Sequence, residues 1–344
     1  MSKPDGEFAA LLKRLAAGEH LSAGESANAF AAMMAGSVSE MRMASFLTAL
    51  ALRGPTVAEI TGAARAMREA MTTVEAPPGA IDVCGTGGDG AGTLNVSTAT
   101  AFVLAGSGVP VAKHGNRAMS SRTGAADVLE VLGVPINHDA AAAKKHLEKP
   151  GFVFLFAPAY HPAMKHVAPV RKELGFRTVF NLLGPICNPA RVRRQLLGIF
   201  AEEWLEPVAH VLADLGTQKA WVVHGADGLD EMTTTGITRV AILDQGHVTL
   251  REIAPEDAGL KRTTLAALKG GTAEENARAI RDLLGGAKNA FRDIVLLNAG
   301  AALVVADKAK NIAEGVALAA ETIDRGRAAS AFEQVRTQER AKAQ

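Results

Sequence analysis

Two glycine-rich turns follow one another between residues 81 and 132, and each one separates an apolar run from a helix-like run. The first reads IDVCGTGGDGAGTLNVST and the second reads VAKHGNRAMSSRTGAADVLEVL. A turn from a strand into a helix directs unpaired backbone N–H groups and the positive end of the helix dipole toward one point, where an anion is stabilised. Two such turns in succession require strands that alternate with helices, and they predict a ligand with two anionic ends.

The chain before the first of these turns carries only helical patterns. Apolar side chains at positions 8, 11, 12 and 15 recur at the spacing of one helix face. Ser22 with Glu25, and Thr56 with Glu59, have the spacing of a capping box, so a helix is expected to begin at each pair. We therefore predict a small helical domain over residues 1–74, followed by a linker that contains the two prolines of residues 75–79.

The predicted helical domain has more apolar surface than a few short helices can bury among themselves. Phenylalanine, methionine and leucine recur between residues 30 and 50. This surface can pack against the rest of the chain or against a second copy, since symmetric pairs are the commonest oligomers. We predict a homodimer that forms through the helical domain.

From residue 75 onward, short apolar runs alternate with helical runs, which is the pattern of an α/β protein. The expected fold is therefore a small N-terminal helical domain plus a large α/β domain over residues 75–344 with a mainly parallel central sheet. A helix near residues 160–175 is expected to join the helical domain, and a hairpin is expected around residues 244–246. The expected strands cover residues 81–84, 109–112, 152–156, 196–200, 220–223, 237–243 and 247–252.

Charge and cysteine content argue against several classes of protein. The chain has 37 Lys and Arg residues against 36 Asp and Glu residues, without a dense basic run, which disfavours a broad nucleic-acid-binding surface. Cys84 and Cys187 lack the spacing of metal ligands. The apolar runs are too short to span a bilayer, and the N-terminal residues lack the apolar core of an export signal. We expect a cytoplasmic protein with reduced cysteines that binds neither membranes nor nucleic acid.

The first glycine-rich turn contains the dinucleotide fingerprint G-x-G-x-x-G at Gly85, Gly87 and Gly90. A nicotinamide site also requires an acidic residue about twenty positions later, to bind the ribose hydroxyls. That neighbourhood ends in Lys113, so it offers a cation instead of an acid. A Walker loop is excluded too, because no G-K-[ST] closes the turn. The fingerprint therefore does not predict a dehydrogenase.

Both turns carry compact hydrogen-bonding side chains that suit phosphate oxygens or a metal–phosphate complex. Simple capping of a helix would need only one such group. In the first turn the donors and acceptors are Thr93, Asn95, Ser97 and Thr98, and in the second they are Lys113, Asn116, Arg117, Ser120 and Ser121.

Asp230 and Glu231 stand next to each other in HGADGLDEMT, directly after the predicted strand WVV. Adjacent carboxylates repel one another unless they share a cation, and Mg²⁺ prefers such oxygen ligands. Acidic residues are also common in exposed turns. The presence of two phosphate-type turns in the same chain favours a bound Mg²⁺ ion with a diphosphate ligand.

Four blocks of the sequence together resemble the anthranilate phosphoribosyltransferase family. They are GTGGDGAGTLNVST, KHGNRAMSSRTGAAD, HPAMKHVAPVRKELGFRTVFNLLGPICNPA and HGADGLDE, and their order and spacing agree over almost the whole chain. The resemblance implies that anthranilate and phosphoribosyl pyrophosphate react, with Mg²⁺, to N-(5-phosphoribosyl)anthranilate and pyrophosphate, a step of L-tryptophan biosynthesis.

The resemblance also implies where each substrate binds. It implies that Gly85, Asn116 and Arg171 contact anthranilate and that Ser97, Asp230 and Glu231 contact Mg²⁺. His114 is the nearest candidate to accept the proton of the amine, although a histidine in a tight turn is as often a structural donor. The residues implied for phosphoribosyl pyrophosphate are Gly85, Gly88, Asp89, Thr93, Asn95, Val96, Ser97, Thr98, Lys113, His114, Gly115, Asn116, Arg117, Ala118, Met119, Ser120, Ser121 and Ala125.

The sequence departs from the family pattern at two positions, and one other enzyme class has a similar architecture. Ala125 stands where a serine is frequent, which removes one hydroxyl, and Lys165 replaces an arginine while keeping its charge. Pyrimidine nucleoside phosphorylases typically have K-H-S where this chain has KHGNR. A relative that binds nucleic acid would be expected to lose the phosphate and metal residues and to gain basic surface, which this chain does not.

Overall fold

The computed structural model of the protein describes residues 3–118 and 122–337. The predicted contacts Met119, Ser120 and Ser121 lie outside the described residues. The chain begins with four helices, α1 (Lys3–Ala16), α2 (Ala23–Met34), α3 (Glu40–Arg53) and α4 (Val57–Ala70). The predicted capping boxes are present at Ser22 and Thr56, where each hydroxyl accepts the N–H of the third helical residue.

A single seven-stranded sheet forms the centre of the larger domain. Its order is β3-β2-β1-β4-β5-β6-β7; β1 to β5 are parallel to one another, whereas β6 is antiparallel to both β5 and β7. The predicted mainly parallel α/β fold is thus confirmed. The strands are β1 (Ile81–Gly85), β2 (Val111–Gly115), β3 (Phe152–Phe156), β4 (Arg194–Gly198), β5 (Lys219–Gly225), β6 (Thr238–Asp244) and β7 (His247–Ile253).

The predicted strands agree with the observed strands except for small displacements. β2 begins two residues later than expected and β4 begins two residues earlier. Gln245 and Gly246 form the predicted hairpin turn, and both have positive φ angles, of 49° and 87°, as a two-residue turn of this hand requires.

The remaining helices cover both faces of the sheet. They are α5 (Val96–Gly106), α6 (Ala125–Leu132), α7 (Ala140–Glu148), α8 (Ala157–Tyr160), α9 (Ala168–Leu174), α10 (Phe180–Ile186), α11 (Leu205–Asp214), α12 (Ala273–Leu284), α13 (Ala290–Val305), α14 (Ile312–Asp324) and α15 (Arg327–Thr337). Helices α5, α6 and α12 to α15 pack on one face, while α9 to α11 and the helical domain pack on the other.

The segment 160–175 is not one continuous helix. A 3₁₀ turn, Pro162–His166, and helix α9 share it. Val167 and Val170 are buried in the same apolar cluster as Phe30 and Phe46 of the helical domain. Much of the apolar surface that the sequence predicted for the helical domain is therefore buried within this chain.

The strand order places a crevice beside β1. The chain moves from β1 to β2 and β3 on one side of the sheet and then crosses to β4 and β5 on the other. Ligands of open α/β sheets bind at such a reversal, beyond the carboxyl ends of the strands. Both glycine-rich turns begin at this edge, because they follow β1 and β2 directly.

Candidate active site

The loop after β5 brings Asp230 and Glu231 against the first glycine-rich turn. The Gly87 N–H donates to the Asp230 Oδ2 over 2.6 Å. The Ser97 N–H, in the first turn of α5, donates to the Glu231 Oε1 over 3.2 Å. Residues more than 130 positions apart in the chain thus form one site, in which a carboxylate lies at the positive end of a helix.

Two glycines at neighbouring strand ends allow the Asp230 backbone to enter this site. Gly85 of β1 and Gly198 of β4 are paired across the sheet. A Cβ atom on Gly198 would overlap the Asp230 carbonyl group, and one on Gly85 would lie 2.8 Å from the Asp230 Cγ. Only glycine leaves this space, so these positions determine how closely Asp230 approaches the first turn.

The carboxyl groups of this site lie close to one another, and Asp230 is buried whereas Glu231 and Asp89 are partly buried. Burial raises the pKa of Asp230, and the neighbouring Asp89 carboxylate raises it further. Burial also raises the pKa of Glu231, where Asp230 and Asp89 add to the shift and Lys113 opposes it. Since their charged forms are costly, these groups favour a shared cation.

A magnesium ion fits this set of donors. Within the described part of the chain, no cluster of three or more metal-ligating side chains is preassembled. Mg²⁺ does not need one, because it commonly keeps several waters and binds through one or two carboxylates together with substrate phosphates. Asp230 and Glu231 supply such carboxylates beside the loop that is expected to bind phosphate.

Lys113 is a buried cation beneath the first turn. Lys113 is only 2% exposed. The Nζ donates to the Val83 carbonyl over 2.7 Å and to the Ser97 Oγ over 3.1 Å. The predicted residues Lys113, Ser97, Asp230 and Glu231 therefore come together, and their individual roles stay predictions.

Other polar groups of the first turn have partners within the protein. The Asn276 amide donates to the Asn95 Oδ1 over 2.8 Å. Thr93 bridges to Lys269 in an antiparallel manner, and Thr98 is fully buried. The contact to Asn276 indicates that Asn95 supports the turn from behind, whereas the buried Thr98 hydroxyl has no hydrogen-bond partner among the described residues.

The second turn is held by α6. The Arg117 Nη1 donates to the carboxylates of Asp127 and Glu130, over 3.1 and 2.6 Å. Asp127 also accepts the Ala118 N–H, over 3.0 Å. The sequence predicted that Arg117 faces an anionic ligand, whereas its charge is here balanced by two carboxylates of the protein. Asn116 accepts the N–H of Arg117 through its Oδ1, over 2.8 Å.

His114 makes a structural contact on the opposite side of β2 from Lys113. Its Nδ1 donates to the Gly184 carbonyl over 3.0 Å, and its ring centroid lies 5.1 Å from that of His161. Burial, together with the nearby His161, lowers the pKa of His114 to about 3. The imidazole is thus neutral at pH 7, and its predicted role as acceptor of the amine proton stays a prediction.

Arg171 lies where the two domains meet. Its guanidinium stands over the Phe180 ring, 5.3 Å from the centroid, and Phe180 in turn packs on Phe30 of α2. Burial lowers the pKa of Arg171. The guanidinium makes no ion pair with a residue that the structure describes. A half-buried cation without a carboxylate partner is suited to bind one from a ligand.

Arg177 contacts the first turn although the sequence analysis did not single it out. Its Nη2 donates to the Gly88 carbonyl, and its guanidinium stacks on the Phe200 ring, 4.3 Å from the centroid. Arg177 precedes α10 and is far from Gly88 in the sequence. Its place within the block LGFRTVFN was the only signal available, and that block gives no spacing rule that would connect it to the turn.

Known proteins share both the sequence and this arrangement. The model of the helical bundle domain of a glycosyl transferase family matches residues 9–71, and the model of the a/b domain of that family matches residues 77–329. The anthranilate phosphoribosyltransferase of Rhodopseudomonas palustris (strain HaA2) is 55% identical over 322 residues, which cover 94% of this chain and 95% of the relative.

Two solved structures are similar over nearly their full length. The anthranilate phosphoribosyltransferase of Thermus thermophilus matches with a TM-score of 0.90 and 48% identity, over 95% of this chain and 98% of that chain. The enzyme of Saccharomyces cerevisiae in complex with PRPP and Mg matches with a TM-score of 0.87 and 30% identity, over 95% of this chain and 96% of that chain. The chain therefore belongs to the anthranilate phosphoribosyltransferase family.

Proposed function

We propose that the two glycine-rich turns, with Asp230 and Glu231, transfer the 5-phosphoribosyl group from phosphoribosyl pyrophosphate to anthranilate. The products are N-(5-phosphoribosyl)anthranilate and pyrophosphate, in L-tryptophan biosynthesis. One observation supports this proposal most directly. The buried Asp230 and the partly buried Glu231 accept N–H groups of the first glycine-rich turn and of the start of α5, where a metal-bound diphosphate would need its cation.

The reaction replaces one bond at the anomeric carbon of the ribose. The amine nitrogen of anthranilate forms the new bond, the bond to pyrophosphate breaks with its electron pair, and the amine loses a proton. Negative charge grows on the departing diphosphate, so donors that hold it more strongly as it leaves lower the barrier. The N–H groups of the first turn and the ammonium of Lys113 are suited to this task.

Anthranilate needs little chemical activation. Its aromatic amine is unprotonated near neutral pH, so the enzyme mainly has to orient it in line with the departing group. We assign the recognition of its carboxylate to Arg171, because this guanidinium lacks a carboxylate partner among residues 3–118 and 122–337. A forked pair between them would fix the plane of the ring.

Ser97, Asp230 and Glu231 would hold Mg²⁺, which when bound would neutralise the diphosphate and stabilise it as a leaving group. The double variant Asp230→Asn with Glu231→Gln is expected to lose the dependence of the rate on Mg²⁺ concentration. The measurement is the initial rate over a Mg²⁺ titration. An unchanged metal response would remove these two residues from the metal site.

The activity is tested with the purified protein, Mg²⁺ and both substrates. The fluorescence of anthranilate is expected to fall only when phosphoribosyl pyrophosphate is present. A preparation that leaves the fluorescence unchanged and instead cleaves thymidine or uridine with phosphate would contradict the proposal. It would favour a pyrimidine nucleoside phosphorylase, the one alternative with a similar architecture.

We further infer that the protein is a homodimer that forms through α3. Met41 and Leu52 are 81% and 85% exposed, and their spacing of three helical turns places them on one face. Large apolar side chains exposed on one face favour an interface. The variant Leu52→Glu is expected to halve the mass measured by light scattering; an unchanged mass would contradict the inference.

The two buried free cysteines fit a reducing compartment, the cytoplasm. No described helix is long and apolar enough to cross a membrane.

A further inference from the structure

A second charged cavity lies at the opposite end of the sheet from the candidate active site. It has a volume of about 430 Å³, and its lining includes Arg65, Arg68, Arg191, Arg193 and Glu69. Two of these arginines precede β4 directly, whereas the Asp230 loop meets β4 at its other end, at Gly198. The other two belong to α4 of the helical domain. The cavity is therefore formed where the two domains meet, and it is separate from the glycine-rich turns.

Three of the four guanidinium groups are fixed in place by close backbone carbonyls. Arg68 donates to the Ile186 carbonyl through Nε and Nη2, over 3.1 and 2.6 Å, and to the Leu215 carbonyl through Nη1, over 3.2 Å. Arg193 donates to the Gly216 carbonyl over 3.1 Å, and Arg191 to the Arg68 carbonyl over 3.0 Å. These bonds orient the side chains, but a carbonyl does not cancel a positive charge.

The positive charge of this cluster is not balanced. None of the four arginines forms an ion pair with a described residue, and Glu69 is the one carboxylate in the lining. Burial lowers the pKa of Arg68; the neighbouring Cys187 opposes this shift and the nearby Arg191 adds to it. Arg191 also has a positive φ of 47°, a backbone conformation that is uncommon outside glycine. Arg65, Arg191 and Arg193 are exposed and Arg68 is partly buried, so the guanidinium groups are accessible to a dissolved anion, which would reduce their mutual repulsion.

We propose that this cavity binds a small anion that carries one or two phosphate groups. Arginine forks match phosphate oxygens in geometry as well as in charge, and forked pairs are among the strongest hydrogen bonds of proteins. The volume lies within the range of small-molecule sites, and it is too small for a folded partner. Because α4 and the segment before β4 both supply arginines, the bound anion would also hold the two domains together.

The test is calorimetric titration of the full chain without Mg²⁺. Inorganic phosphate, pyrophosphate and ribose 5-phosphate are the three probes, so that an inorganic anion is distinguished from a sugar phosphate. The double variant Arg191→Gln with Arg193→Gln is expected to bind the preferred probe about tenfold more weakly or worse, since hydrogen bonds to charged groups are stronger than neutral ones. The matched control is Arg251→Gln, an exposed arginine in β7, which should bind like the wild type.

Two measurements keep the result interpretable. The double variant should retain the KM for phosphoribosyl pyrophosphate and the kcat of the wild type, which separates this cavity from the candidate active site. If the double variant fails to fold, the exposed Arg65→Gln alone is titrated, because its single bond to the Asp214 carbonyl is long, at 3.5 Å. Equal binding of all three probes by wild type and variants would overturn the proposal, as would a wild type that binds none of them.

Discussion

Replacing Gly198 by alanine tests whether the position of the Asp230 backbone controls activity. Gly198 contributes no side chain to the candidate site, and the Cβ atom of an alanine would overlap the Asp230 carbonyl and lie 3.2 Å from its Cα. Non-bonded carbon atoms keep about 3.5 Å apart, so the Asp230 segment has to withdraw by about 1 Å or more. The hydrogen bond of 2.6 Å between the Gly87 N–H and Asp230 would then lengthen or break.

The expected loss is large in activity and moderate in stability. A displacement of about 1 Å at a reacting site can lower the rate by about a hundredfold, and overpacking of this kind costs about 1–3 kcal/mol of unfolding free energy. Initial rates from anthranilate fluorescence, measured over a Mg²⁺ titration, give the first quantity, and urea denaturation gives the second. The Mg²⁺ concentration at half-maximal rate should rise, because Asp230 is moved.

The matched control is Gly24→Ala in α2. An added Cβ there has no heavy atom within 4 Å, so alanine should leave the rate unchanged and stabilise the helix by up to about 1 kcal/mol. The reasoning is refuted if Gly198→Ala retains the rate and the Mg²⁺ response of the wild type. It is also refuted if the rate falls only in proportion to the fraction of unfolded protein.

Three other changes address contacts that the structure makes specific. Arg171→Ala should raise the KM for anthranilate by roughly tenfold or more and the KM for phosphoribosyl pyrophosphate much less; equal effects would argue against a carboxylate contact. Arg177→Ala, which removes the contact to the Gly88 carbonyl, should raise the KM for phosphoribosyl pyrophosphate and leave that for anthranilate unchanged, and the opposite pattern would show that the contact does not order the turn. Glu59 has a fully buried side chain that pairs with Arg53; burial alone would raise its pKa, but the N–H groups of Thr56 and Leu21 and the Arg53 guanidinium lower it. Its stabilisation is therefore present above the unfolded pKa of about 4.3 and is lost as the pH falls through the lower folded pKa. Glu59→Gln should cost roughly 3 kcal/mol at pH 7 and much less in acid, as measured by urea denaturation at both pH values, and an equal cost at both would refute the charge as its cause.

Local sequence patterns predicted most of the helices and strands, because the interactions that begin and end these elements join residues close together in the chain. The capping boxes at Ser22 and Thr56 begin helices as expected, since the hydroxyl and the carboxylate that form them lie three residues apart. The hairpin at Gln245 and Gly246 follows from the φ angles that its turn requires. The strand ends were displaced by up to three residues, because hydrogen bonding to neighbouring strands decides where a strand begins and ends.

Contacts between residues that are far apart in the sequence could not be predicted from local patterns. Arg117 and Arg171 are both arginines near glycine-rich or helical segments, and the sequence predicted that both contact a ligand. In the structure Arg117 pairs with Asp127 and Glu130 of α6, whereas the Arg171 guanidinium stands over the Phe180 ring and forms no ion pair within residues 3–118 and 122–337. The difference depends on which carboxylates the fold brings near, and no local pattern encodes that.

Local sequence patterns were sufficient to predict the α/β class and to find the two glycine-rich turns and the pair of adjacent acids, because helix caps, glycine turns and apolar periodicity act over a few residues. Tertiary structure alone decided that Asp230 meets Gly87, that Glu231 meets the start of α5, and that two glycines at neighbouring strand ends make room for this approach. It also placed Arg177 on the first turn and collected four arginines around one cavity. These contacts depend on strand order and sheet register, which are set by the burial of apolar surface over the whole chain.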